Sequence, residues 1–187
     1  SLKIKNVGLN PTRIGFYEIL KKQKAKIKFT NLKKENNEIR GDIIVKSSNI
    51  KKIITPGNFY PRTADEYPLL FAMAALIRGN SIFKNIGDLA NKETNRITEM
   101  QKILKQIGVK SIATKNEIKI FGKGMINANN KKITVPNIAD HRIHMSAFIL
   151  GLLTGAKTKL TGFETVYTSS PSFLNIMKSL GAKFEKN

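Results

Sequence analysis

Apolar residues recur along the chain in steps of three and four at three places: Phe16, Ile19, Leu20; Met100, Ile103, Leu104, Ile107; and Phe173, Ile176, Met177, Leu180. That spacing puts them on one face of a helix. Each helix runs on into a short strand-like stretch. "FYEILKKQKAKIKF" (16–29), "ITEMQKILKQIGVKSI" (97–112) and "SFLNIMKSLGAKFE" (172–185) therefore read as three copies of one helix-then-strand segment. Gly108 and Gly181 stand where a left-handed C-cap is wanted, and Lys24 holds that place in the first copy.

A second pair interleaves with these. "DEYPLLFAMAALIRGNSIFKNI" (65–86) and "DHRIHMSAFILGLLTGAKTKLTGF" (140–163) each begin at Asp, run through an apolar helix, stop at Gly79 or Gly155, and continue as a strand. Both helices are apolar nearly all round, which predicts burial in the middle of the domain. Further strands are expected at 42–47, 117–121 and 132–135. The fold class this predicts is α+β (mixed α/β), with repeated βαβαββ units around buried helices. The expected extent is a single unit over 1–187: about two βαβαββ units plus the start of a further helix-strand repeat.

Composition narrows the function classes. With 187 residues, 41% of them hydrophobic and 25% charged, the chain has enough apolar material for a full core. It contains no cysteine, which excludes disulfides and Cys-ligated metals and fits a reducing, cytoplasmic location. The longest apolar runs, 69–77 and 147–153, are far shorter than the roughly 20 residues of a membrane span. Ser1 and Leu2 lead straight into strand-like Ile4 and Val7 without a methionine, as in a piece of something longer. The net charge of +20 raises a nucleic-acid reading. The lysines are nevertheless spread evenly and aromatics are few, so small anions fit the pattern better than a nucleic acid does.

The candidate chemistry collects where helices start. Asp65 and Glu66 precede one buried helix, and Asp140, His141 and Arg142 precede the other. "NKETNRI" (91–97) precedes the middle amphipathic helix and "TSSPSF" (168–173) the last. Helix N-termini present free N–H groups, and arginine adds a planar fork for phosphate or carboxylate. Structural roles compete for each residue. Asp65, Thr94 and Asp140 suit helix caps, residues 92–96 suit a solvated turn, and Ser169, Ser170 and Pro171 suit a cap followed by Pro at the first helical position. His141 and His144 are the two histidines of the chain, and without a Cys or a third His they make no metal ligand set.

At these residues the chain resembles the carboxyl-terminal part of the EPSP synthase (3-phosphoshikimate 1-carboxyvinyltransferase) family. "VGLNPTRIGFYEIL" is similar to the family's N-x-T-R-x-G helix start and "ADEYPLL" to its D-E-x-P segment. "NKETNRI" is similar to the K-E-S/T-D-R signature, "DHRIHM" to D-H-R-x-A-M, and "TSSPSFLNIMKSLGAK" to the terminal helix. The resemblance implies one lobe of a two-lobed enolpyruvyl transferase whose amino-terminal lobe lies outside this chain, so that the fragment alone is expected to be inactive. It implies phosphoenolpyruvate and shikimate 3-phosphate as substrates and no metal or organic cofactor. Asp65 then matches the base, which also binds substrate, and Glu93 the proton-transfer residue. Lys92 matches a shikimate 3-phosphate ligand, Arg96 and Arg142 the phosphoenolpyruvate ligands, and Asp140 and His141 supporting residues.

The chain departs from the family pattern at Ala90, Asn91, Asn95, His144 and Ser170. Two other readings stay open on sequence: an enzyme like UDP-N-acetylglucosamine 1-carboxyvinyltransferase, and a basic module that binds anions or RNA.

Overall fold

The computed structural model describes residues 1–185. Strand β1 (Leu2–Gly8), helix α1 (Gly15–Lys22), β2 (Lys26–Glu35) and β3 (Glu38–Lys46) form an antiparallel sheet of order β1-β3-β2 with α1 packed on it. Next come β4 (Ile54–Thr55), a 3-10 turn at Gly57–Arg62, α2 (Tyr67–Ala75), β5 (Gly79–Lys84), a 3-10 turn at Gly87–Asn91, α3 (Arg96–Gln106), β6 (Ser111–Ala113) and β7 (Glu117–Gly122). They make a four-stranded sheet of order β4-β5-β7-β6, parallel between β4 and β5 and antiparallel elsewhere. The last described elements are β8 (Lys132–Val135), α4 (His141–Thr154), β9 (Lys157–Leu160), a 3-10 turn at Phe163–Thr168 and α5 (Phe173–Ser179), with β8 and β9 parallel.

The middle set is strand-helix-strand-helix-strand-strand, and its neighbours repeat parts of it. The order β1-β3-β2 copies β5-β7-β6, and the parallel pair β8-β9 copies β4-β5. The repetition extends to hydrogen bonds at helix ends. After α1, α3 and α5 the N–H groups of Ala25, Val109 and Ala182 reach back to the carbonyls of Leu20, Leu104 and Met177 at 3.0, 2.9 and 3.0 Å. Each closure needs one left-handed residue, supplied by Gly108 (φ +77°) and Gly181 (φ +91°) in two copies and by Lys24 (φ +69°) in the first. A side chain there costs about 1–2 kcal/mol that glycine avoids.

Two expectations need correction. Helix α2 is buried as expected, with Tyr67, Leu70, Phe71, Ala74 and Ala75 fully enclosed. Helix α4 is not enclosed all round among the described residues: Ile143, Ala147 and Leu150 are buried but Leu152 and Leu153 are exposed. Its buried face is the one that packs on α2 and α3. No strand follows α5 through residue 185. The segment closes the helix through Ala182 and then packs the Phe184 ring on Phe148, with centroids 5.4 Å apart, without joining a ladder. The two-residue β4, which carries no periodicity of its own, has no counterpart in the sequence reading.

Asp42 organises the first sheet from its central strand. Register shifts interrupt β1 between Ile4 and Val7 and β2 between Thr30 and Lys33. In each interruption an asparagine is left-handed, Asn6 at φ +54° and Asn31 at φ +52°. Both bond to the same carboxylate: Asn6 N–H donates to Asp42 Oδ1 at 3.0 Å and Asn31 Nδ2 to Oδ2 at 2.7 Å. Lys3 Nζ adds an ion pair at 2.9 Å. The Lys3 bond first, then those from Asn6 and Asn31, lowers the Asp42 pKa to about 2. No helix among the described residues is long and apolar enough to cross a membrane.

Candidate active site at the helix starts

Helices α2, α3 and α4 pack on one another, and their N-terminal ends bring distant segments together. Asp140 is the junction. Its backbone is extended (φ −126°, ψ 96°), which aims its carboxylate back at the first turn of α4. Oδ1 accepts from the N–H groups of Arg142 at 3.1 Å and Ile143 at 3.4 Å. Oδ2 accepts from Arg96 Nε at 3.0 Å and Thr94 Oγ1 at 3.0 Å. Asp140 is fully buried, so one carboxylate both caps α4 and ties it to α3.

Arg96, the first residue of α3, is 1% exposed, which overturns the solvated-turn reading of residues 92–96 at this position. A guanidinium is tolerated there because Asp140 and Glu93 both neutralise it, the Glu93 carboxylate bonding Nη2. Its Nη1 is buried with no hydrogen-bond partner and lies 3.8 Å from Asp65 Oδ1, past hydrogen-bond reach. Thr94 is not the cap of α3. Asn95 is: its Oδ1 accepts from Thr98 N–H at 3.0 Å. Asparagine and aspartate cap about equally well, so the Asn95 departure leaves the helix start intact.

Asp65 does not cap α2 either. Glu66 occupies the cap position and makes no side-chain cap bond. Asp65 is thereby left to the arginines. Its Oδ2 accepts from Arg13 Nη2 at 3.1 Å and pairs as an ion with Arg142 Nη2 at 3.1 Å, and its carbonyl accepts from Arg142 Nη1 at 3.4 Å. Arg13 Nη2 also reaches Glu66 Oε1 at 3.3 Å. Burial pushes the Glu66 carboxyl above its usual range, with the Asp65 charge adding to this and Arg13 opposing it.

The cluster thus joins Arg13, Arg96 and Arg142 to Asp65, Glu66, Glu93 and Asp140. Its charges are nearly balanced, so an incoming anion has to displace carboxylates from guanidiniums. Asp65 and Arg142 are roughly one-third exposed and Glu93 is 44% exposed.

Lys92 turns elsewhere. Its Nζ pairs with Asp88 Oδ2 at 2.7 Å, and Tyr60 OH donates to the same oxygen at 2.7 Å. The Lys92 bond first, then Tyr60, lowers the Asp88 pKa. His141 opens α4 beside Arg142; its partial burial, then the Arg142 cation, lowers its pKa.

His144 is fully buried, with Nδ1 3.0 Å from the Asp140 carbonyl and Nε2 3.0 Å from the Thr161 carbonyl. Its ring meets Phe163 edge-on. Each ring nitrogen of the histidine thus faces a backbone carbonyl at hydrogen-bond distance, and a ring N–H can donate to it. The expected Ser-Pro start of the last helix is not formed, since α5 begins at Phe173 after Ser172, which makes no side-chain cap bond.

The sequence pattern gives no site role to Arg13, Asp88 or Tyr60, and it places Glu66 and Thr94 at the helix starts without a site role. One signal for Arg13 was present, the R-x-G spacing. Gly15 lies so close to the end of the turn before Asp65 that a Cβ there would meet Thr63 Oγ1 at 2.1 Å and the Arg62 carbonyl at 2.8 Å. The spacing therefore marks a contact between α1 and the Asp65 segment.

Comparison with known proteins places the whole chain. The family model for EPSP synthase (3-phosphoshikimate 1-carboxyvinyltransferase) matches residues 1–177. A 3-phosphoshikimate 1-carboxyvinyltransferase of Petrotoga mobilis is 37% identical over 180 residues, covering 96% of this chain and 41% of the relative. One from Zymomonas mobilis is 36% identical over 188 residues, covering 98% and 41%. The structure of EPSP synthase from Acinetobacter baumannii superposes with a TM-score of 0.88 at 34% identity, over 95% of this chain and 41% of that one. The enolpyruvyl transferase NikO of Streptomyces tendae, 12% identical with a TM-score of 0.66 over 97% of this chain and 39% of its own, shares the fold. The chain spans about two-fifths of the length of the curated relatives it matches. With the matched signatures gathered at three packed helix starts, the chain belongs to the EPSP synthase family.

Proposed function

We propose that this chain is the carboxyl-terminal part of a cytoplasmic 3-phosphoshikimate 1-carboxyvinyltransferase, acting with an amino-terminal lobe outside it. The observation that carries the reading is Asp65 lodged among Arg13, Arg96 and Arg142, with one buried Arg96 N–H lacking an acceptor. Such a site suits a substrate with carboxylate and phosphate groups.

In this reading the 5-hydroxyl oxygen of shikimate 3-phosphate bonds to C2 of phosphoenolpyruvate. The hydroxyl proton goes to Asp65, and Glu93 delivers a proton to the C3 methylene carbon. Glu93 then takes a proton back from C3 as the C2–O bond to phosphate breaks, and the phosphate leaves with the proton held by Asp65. This restores the double bond and both carboxylates and completes the transfer. Arg96 and Arg142 hold the phosphoenolpyruvate anion, and Lys92 leaves Asp88 for shikimate 3-phosphate. Asp140 and His141 keep the start of α4 in place.

Phosphate release from the two substrates tests the reading. The full-length protein carrying this chain is expected to release phosphate and form the enolpyruvyl product in equal amounts, and residues 1–187 alone to release none. No turnover by the full-length protein overturns the function. Turnover by the isolated chain overturns the need for a second lobe, and turnover with UDP-N-acetylglucosamine in place of shikimate 3-phosphate reassigns the acceptor.

A further inference from the structure

Arg13 has no part in the roles above, yet the fold fixes it with care. The Arg13 N–H bonds the Asn10 carbonyl at 2.9 Å, and Asn10 Oδ1 accepts from the Ile39 N–H at 3.1 Å, pinning the turn to the start of β3. Arg62, on the turn that leads to Asp65, donates from Nε to the Pro11 carbonyl at 2.7 Å and pairs with Glu18 of α1 at 2.8 Å. Gly15 brings the same two segments into contact on the other side. Arg13 and Asp65 are thus held on one joined pair of loops, whereas Arg96 and Arg142 come from α3 and α4.

That difference matters when an anion arrives. Asp65 lies 3.1 Å from Arg142 Nη2 and 3.8 Å from Arg96 Nη1, so a carboxylate or phosphate that binds these two guanidiniums competes with it for them. A carboxylate at the protein surface with no partner turns freely in water. A base that wanders by about 1 Å loses on the order of 100-fold in rate.

We infer that Arg13 is a positioning residue for the base: it keeps hold of Asp65 Oδ2 when the substrate anion takes Arg96 and Arg142. The inference rests on reading Asp65 as the base. Glu66, on the same Arg13 nitrogen, sets the guanidinium at a fixed place above the start of α2.

The test uses the full-length protein with Arg13→Ala and Arg13→Lys. Arg13→Ala is expected to lower kcat by about 10–100-fold while KM for phosphoenolpyruvate stays within about 3-fold, because the substrate's own ligands remain. Arg13→Lys, which keeps the charge but not the fork, is expected to recover part of kcat. An unchanged kcat in Arg13→Ala overturns the inference, and so does a raised KM at unchanged kcat, which would make Arg13 a substrate ligand.

A readout independent of turnover separates this inference from the functional reading. Inorganic phosphate titrated into the wild-type protein is expected to shift the guanidinium Nε–Hε NMR signals of Arg96 and Arg142 and to leave that of Arg13 in place. Movement of the Arg13 signal with the others, or movement of none of them, overturns the inference even if turnover is found. Absence of turnover with the expected NMR pattern overturns the functional reading, and with it the base for which Arg13 is a positioning residue, while the hold of Arg13 on Asp65 stands.

Discussion

Replacing Asp140 probes the junction of the site most directly, since its two oxygens serve two helices. Asp140→Ala removes the acceptor of buried Arg96 Nε, of Thr94 Oγ1 and of two N–H groups at the start of α4. Breaking a buried ion pair costs about 3–5 kcal/mol, since the 44% exposed Glu93 that stays on Arg96 Nη2 compensates the charge only in part, and losing a cap costs about 1 kcal/mol more. The expected loss is therefore about 4–6 kcal/mol, a large part of the roughly 5–15 kcal/mol that holds a domain folded. Asp140→Asn separates the contributions. Its carbonyl can still cap α4, but its amide group opposes Arg96, so it should lose about 3–5 kcal/mol and remain about 1 kcal/mol above alanine. Pairing Asp140→Ala with Arg96→Met removes the under-compensated buried charge and should regain about 2 kcal/mol relative to Asp140→Ala alone. Urea unfolding followed by far-UV circular dichroism, with m-values compared across the set, measures all three. A loss below about 2 kcal/mol in Asp140→Ala, or no recovery in the double variant, would refute the reasoning that a dry charge pair joins α3 to α4.

Other parts of the structure make their own predictions. Arg142→Ala in the full-length protein should weaken phosphoenolpyruvate binding by about 2–5 kcal/mol, seen by calorimetry, because it strips a charged partner from the anion; unaltered affinity would remove Arg142 from the site. Gly15→Ala forces a Cβ against Thr63 and the Arg62 carbonyl and should cost about 1–3 kcal/mol in urea unfolding. An unaltered midpoint would mean the α1–Asp65 contact is loose. Asp42 titrates at about 2 when folded, against an ordinary value of 3.8, so its ionised form stabilises the fold above about pH 4 and that contribution is lost as pH falls toward 2. Asp42→Asn should flatten the stability profile over that range, and an unchanged acid slope in thermal melts would contradict the assignment.

Much of the fold was legible because its elements are locally determined. The three amphipathic helices and their left-handed closures follow from residue spacing and from Gly108 and Gly181, and the closure at Lys24 repeats the same bonds without a glycine. Strands β7 and β8 fall where alternation placed them. Where local pattern and packing disagree, packing decides. The residues after α5 read as a strand but pair with none through residue 185, because a ladder needs a neighbouring edge, which no single segment encodes. Likewise α4 looks apolar on every side, yet its exposure depends on what lies against each face.

The sequence by itself determined which residue types stand at the helix starts, and its signatures determined the family. It could not say which acid caps and which is left for chemistry. Asp65, Thr94 and Asp140 all suit an N-cap, yet Asp140 alone of them takes that place, while Asn95 and Glu66 occupy the others. That choice depends on backbone angles and on arginines 44 to 77 residues away in the chain, such as Arg96 beside Asp140 and Arg142 beside Asp65. Hydrogen bonds and ion pairs act over a few ångströms, so only the packing of α2, α3 and α4, together with that of α1 on the turn before Asp65, could bring Arg13, Arg96 and Arg142 to one carboxylate.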